Sequence, residues 1–353
     1  MPWLRATLPS AVSRSTYALV ALATVAQVAT VLVTRDLWRP RSAPPNLPVG
    51  GGDGWLLAAD VDWAPVLVVL AVAVLAVPRL AAPGFCAALL LAGLGDQTRL
   101  QPEVVSLAVL MTAPLFGAGG TTIARFHLSS LWLWAGLHKA LSLDWPTDGA
   151  GFITDLIGAE GLRGVLAWAL PAVEVGLGAA SLWPRAWPVA RWVGAALHAG
   201  ILLTLSPLLG DWNSAVWPWN AALAGASILL FRSEPVEWWA GLQHVAVRAG
   251  ATVLLLFPAL FYLGVVDAYL AHNLYSANAA SAAICNVHRC APLQFDTWSR
   301  LNVPLPPEPR LYRDWFDRVC PPDTWLEVTG PRTRLTDPPA VHRHGCPRSR
   351  GGP

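Results

Sequence analysis

Runs of apolar residues near the length needed to cross a bilayer recur along this chain, at about 17–34, 62–78, 103–119, 126–143, 163–183, 188–207, 214–231 and 245–269. Lipid offers a backbone no hydrogen-bond partners, so a spanning run must pair its own N–H and C=O groups as helix, and about 20 apolar residues are required. A further stretch, 83–95, is shorter; it reads as a tilted or re-entrant ninth helix. The expected fold class is all-α: a polytopic transmembrane bundle of about eight or nine spans. Composition supports this. Of 353 residues 54% are hydrophobic and 13% charged, where soluble domains carry about 25% charge. The 19 tryptophans suit membrane–water interfaces. Such a chain lacks the polar surface of a soluble enzyme, and a net charge of +2 leaves no basic footprint for nucleic acid.

Arginine placement suggests an orientation. With the N-terminus cytoplasmic, Arg5, Arg14, Arg79, Arg125, Arg185, Arg191, Arg232 and Arg248 fall at cytoplasmic ends, as the positive-inside tendency prefers. Arg35, Arg39, Arg41, Arg99 and Arg163 fall on the other side. The first run lacks a small-residue cleavage site and reads as a retained helix. Nine spans put the C-terminal tail outside the cell membrane. The expected division is a membrane region, 1–270, and a small extracytoplasmic segment, 271–353. That segment holds Cys285, Cys290, Cys320 and Cys346, four of the five cysteines, which read as disulfides or free thiols. Thr324–Val328 suits a short strand.

Ionisable groups inside spans are costly and usually face a bundle interior or a cavity. Lys139 is the only lysine. Arginine stays protonated in proteins, whereas a buried lysine can lose its proton and serve as a base. Glu174 lies in the span 163–183 and His198 in the middle of the next. A Glu–Lys pair would offset the cost of burying charge, and a Glu–His–Lys cluster could tune a base. The simpler alternatives are a lysine snorkelling to the interface and a histidine that only satisfies a hydrogen bond. Three polar loops, 96–102, 211–220 and 267–276, are expected to line one outer vestibule. Lys139, Glu174 and His198 are therefore the catalytic candidates. His138, Trp134, Asp96, Arg99, Trp217, Asn220 and Tyr275 are the candidates for substrate contact. No metal site is expected.

The run Trp134-Ala-Gly-Leu-His-Lys-Ala-Leu-Ser-Leu-Asp-Trp145 resembles the Ala-Gly-x-x-Lys…Trp signature of the vitamin K-dependent gamma-carboxylase membrane domain, of the horizontally transferred transmembrane (HTTM) group, itself similar to DoxX-type proteins. The Glu174 helix, the Trp183-Pro-Arg185 turn and the His198 helix follow in the order of that domain, and the loop Asp96–Pro102 is typical of its bacterial members. The resemblance covers roughly 15–275. It implies that Lys139 deprotonates a lipid hydroquinone, reduced vitamin K or menaquinol, to drive an oxygen-dependent modification of a protein or peptide substrate. The chain departs from the family in its short tail and in His138 beside the base, so quinol binding is better supported than carboxylation. The alternatives are a DoxX- or MauE-like membrane subunit in quinone or thiol redox, without carboxylation, and a non-catalytic membrane protein.

Overall fold

The computed structural model describes residues 13–50, 60–232, 235–336 and 341–346; Arg5 of the orientation argument lies outside them. Among the described residues, six helical stretches are long and apolar enough to cross a membrane: Arg14–Val33, Pro78–Gly95, Pro102–Leu141, Glu160–Ser181, Pro184–Leu205 and Val245–Leu263. The chain is a multi-pass membrane protein. The helices that matter below are α1 (Arg14–Val33), α2 (Trp63–Ala76), α3 (Pro78–Gly95), α4 (Pro102–Thr112), α5 (Gly117–Leu141), α6 (Arg163–Ser181), α7 (Trp187–Leu205), α8 (Trp217–Leu230) and α9 (Val245–Leu256).

This corrects the expectation of eight or nine full spans. The runs 62–78 and 214–231 yield helices of only 14 residues each, about 21 Å at 1.5 Å per residue and short of the hydrocarbon thickness. The stretch 83–95 is instead part of a full 18-residue helix, because Pro78 starts α3 a turn earlier and Pro83 is tolerated inside it. The runs 103–119 and 126–143 form one apolar stretch of 40 residues folded back on itself. Gly117 has φ +73°, a backbone that favours glycine. A Cβ on Gly120 would lie 1.8 Å from the Ala113 carbonyl oxygen. The chain turns tightly here, and Ser106 of α4 reaches His127 of α5 at 2.8 Å.

α1 packs on α2, α4 and α8, and α5 packs on α6, α9 and the turn before it. One apolar cluster runs through the bundle. A second fills the tail, where Tyr312, Trp315 and Phe316 pack with Leu47 and Leu326.

The tail corrects the all-α expectation. It holds two helices, α10 (Gln294–Leu301) and α11 (Pro309–Val319), and four strands: β1 (Ser281–Cys285), β2 (Cys290–Pro292), β3 (Trp325–Thr329) and β4 (Val341–Gly345). The sheet is antiparallel in the order β2-β1-β3-β4. β3 is the expected strand shifted by one residue. Cys285 pairs with Cys290 and Cys320 with Cys346, while Cys86 is free and exposed.

The tail sits on the end of the bundle where α5 finishes. The Leu143 N–H donates to Arg332, the Arg334 N–H to Leu141, and Arg332 pairs with Asp144 at 2.7 Å. Gln101 donates to the Pro304 carbonyl, and Asn302 to Val33 and Ser214. Loops 96–102, 211–220 and 267–276 thus meet at one face, under the tail.

Candidate functional site

α5 presents His127, Leu131, Ala135 and Lys139 along one stripe at four-residue spacing, the repeat that keeps helical side chains on one face. All four line a mostly apolar cavity of about 240 Å³. Glu174 of α6, His198 of α7 and Asn220 of α8 complete the polar part of one side, and Leu197, Ile201, Val253 and Leu254 supply apolar wall.

Lys139 and Glu174 are the charged pair of this cavity. The Lys139 ammonium donates to both carboxylate oxygens, at 2.9 and 2.8 Å, and lies 3.4 Å from the Ala135 carbonyl one turn back. The Trp145 ring is 5.5 Å from it. Lys139 is 6% exposed and Glu174 3%, so the lysine does not snorkel. The pair forms because α5 and α6 approach closely. A Cβ on Gly136 would come within 2.7 Å of the Pro171 oxygen, and one on Gly178 within 2.5 Å of the Leu133 nitrogen; such small residues let membrane helices touch by backbone.

His198 is buried with both ring nitrogens engaged. The Trp132 indole N–H donates to its Nε2 at 2.9 Å. An indole can only donate, so the proton sits on Nδ1 and is donated to Asn220 Oδ1 at 3.0 Å. Asn220 in turn donates to the Val216 carbonyl. This chain ties α5, α7 and α8 together and fixes one neutral tautomer. It makes His198 and Asn220 parts of the cavity wall, and it leaves His198 no free nitrogen for proton transfer.

Five further candidates lie elsewhere. His138 meets the Tyr262 hydroxyl at 2.8 Å and the Ala271 carbonyl at 2.9 Å. The Trp134 indole donates to Leu255 of α9, and that of Trp217 to Leu205 and Trp212. Asp96 pairs with Arg41, accepts from the Leu47 N–H, and lies 3.7 Å from Arg99. Arg99 donates to the carbonyls of Leu37 and Ala92. Asp96 and Arg99 do pair locally, but they knit segment 37–48 to the 96–101 loop, away from Lys139. Each of these side chains satisfies backbone or loop groups, which outcompetes a place at the cavity.

Tyr275 does line the cavity, beside residues that the sequence reading did not single out: Ser106, His127, Trp219, Tyr269 and His272. His127 could have been found from its place in the four-residue stripe that leads to Lys139. His272 stood in the polar run 267–276 with no periodicity to mark it. Burial, with His127 and His138 nearby, keeps the His272 imidazole well below the usual histidine range and neutral. Tyr269 and Tyr275 also border a second cavity of about 490 Å³ between the bundle end and the tail, which Glu103, Asn213 and Asp144 help to line.

Residues 118–214 match the family model of methylamine utilisation protein MauE. The matched part is similar to that family; it takes in Lys139, Glu174 and His198 and ends before Asn220, His272 and Tyr275. No match to the carboxylase-type membrane domain accompanies it. No curated protein and no solved structure matches.

Proposed function

We propose that this chain is a MauE-like membrane subunit that binds a lipid quinone or hydroquinone in the α5–α6–α7–α8 cavity and works in redox with a partner, without carboxylation. The observation that carries this is the closed Lys139–Glu174 pair on the wall of a mostly apolar cavity, inside the segment that is similar to MauE. The residues suit the ligand. Leu131, Leu197, Ile201 and Val253 offer apolar surface to a ring and chain, and a few convergent polar groups fix orientation, the usual form of a small-molecule site.

A hydroquinone, when bound, supplies two electrons and two protons to an acceptor. Glu174 is placed to hold a proton at its carboxylate, and the Lys139 ammonium keeps positive charge beside the oxygen that gives it up. A desolvated pair acts more strongly on such an oxygen than it would in water. His198, locked as the Nδ1–H tautomer, packs the wall without exchanging protons. The partner that takes the two electrons and two protons of a hydroquinone is a disulfide protein or another redox subunit; with the oxidised quinone bound, a dithiol protein would instead supply them.

The test uses the protein in lipid nanodiscs and a short-chain menaquinone. Trp132 and Trp219 line the cavity, so binding is read as saturable quenching of tryptophan fluorescence. Saturable quenching is expected in the wild type and its loss in Ala135→Phe, which fills the wall one turn before Lys139. Incubation with vitamin K hydroquinone and oxygen is expected to yield no epoxide by mass spectrometry. Absent saturable quenching overturns the quinone reading, and epoxide formation lost in Lys139→Arg restores the carboxylase-type one.

A further inference from the structure

The cavity has a second polar wall that the Lys139–Glu174 chemistry leaves unused. His127 is 3% exposed; its Nε2 meets Ser106 at 2.8 Å, and its Nδ1 has no hydrogen bond among the described residues. The His272 ring lies 5.4 Å from it, edge to face, makes no hydrogen bond among the described residues and borders the cavity. The Nδ1 of His127 and both nitrogens of His272 thus have no partner among the described residues, which leaves these rings able to hydrogen-bond a ligand in the cavity they line.

The backbone supports the same reading. His272 has φ +58°, and Tyr275 and Ala277 follow at +48° and +51°, a region that side chains other than glycine enter at a cost and that concentrates at functional sites. The surroundings hold this turn in place. Asn273 donates to the Asn278 carbonyl and accepts from Ser276. Asn278 donates to the His138 carbonyl and to Tyr262, and His138 holds the Ala271 carbonyl immediately before His272. His138 is thus a positioning residue for His272.

His127 and Lys139 are twelve residues apart on α5, a rise of about 18 Å, and both side chains lean toward the helix N-terminus, so they lie toward opposite ends of one cavity. A quinone carries its two oxygens on opposite sides of the ring, so one oxygen at Lys139–Glu174 turns the other toward the histidine wall. We propose that His127 and His272 form a second hydrogen-bonding station, which takes the far oxygen of a 1,4-dioxygenated ring whose near oxygen rests on Lys139–Glu174.

This rests on the quinone reading, and the test separates the two. In nanodiscs, tryptophan quenching by 2-methyl-1,4-naphthoquinone is compared with quenching by 2-methyl-1-naphthol, which lacks the far oxygen. The wild type is expected to bind the dione about tenfold more tightly. His272→Gly suits the positive φ and removes the ring; it should weaken the dione about tenfold and leave the naphthol unchanged. His272→Asn tolerates the same backbone and keeps a donor, and should restore part of the preference. Retained thermal unfolding in each variant excludes loss of fold. Equal dione binding in wild type and His272→Gly overturns the second station and leaves the quinone reading standing. No saturable dione binding in the wild type overturns both.

Discussion

At the scale of residues, Lys139 and Glu174 form a buried ion pair that depends on both members. Each ion leaves water for a low-dielectric interior, and the attraction offsets that only while the partner is present. Lys139→Met leaves a buried carboxylate alone and should cost about 3–5 kcal/mol of stability. The double variant Lys139→Met, Glu174→Leu removes both charges and should recover most of that loss. A double-mutant cycle of thermal unfolding in detergent checks this. Additive losses would show that the pair does not couple. Part of this was legible beforehand: a single lysine in a span, with one glutamate in the next, suggested a neutralising contact, with a snorkelling lysine as the alternative. The role of His198 was not legible, because the indole that takes its second nitrogen comes from Trp132, on another helix 66 residues away.

At the scale of elements, the α5–α6 crossing decides whether that pair can form. Gly136 and Gly178 lie either side of it along the two helices, and each leaves no room for a methyl group against the opposing backbone. Gly178→Ala should push the helices apart, cost about 1–3 kcal/mol as an overpacked contact does, and open the cavity between them. Thermal unfolding measures the first effect, and accessibility of an Ala135→Cys thiol to a small membrane-permeant reagent measures the second. An unchanged melting temperature would show that the crossing has slack. The number of apolar runs was legible as helices but not as full spans, since hydropathy gives no information on where a run stops crossing and starts turning. Gly117 turns the chain with its positive φ, and the Ser106–His127 contact shows that α4 and α5 lie side by side. The sheet was less legible still. Strand β4 reads Val341-His-Arg-His-Gly345, largely exposed and without alternation, and its partner lies across a proline-rich segment, so its pairing is a matter of topology and not of local pattern.

At the scale of the whole molecule, the tail closes the bundle end that carries the second cavity, and one half-buried acid joins the two parts. Glu308 accepts a hydrogen bond from the Ala268 N–H at 2.6 Å, in the segment that leads to His272. Burial pushes its carboxyl up to about 7, with Asp267 raising it further and the Ala268 N–H and Arg310 opposing. The folded protein therefore binds more protons than the unfolded chain between about 4.5 and about 7, and this group's contribution to stability falls as pH rises across that window. Glu308→Gln is neutral at every pH. It should match the wild type below about pH 4.5, gain on it progressively to about pH 7, and keep a constant advantage above that. Hydrogen exchange of the 267–278 segment, followed from pH 5 to 8 in both proteins, reads this at the joint itself. Parallel pH profiles would place the titrating group elsewhere. A diverging pair would make Glu308 the group through which pH loosens the tail from the segment that carries His272 and Tyr275, which ties the tail's closure to the cavity wall those residues form.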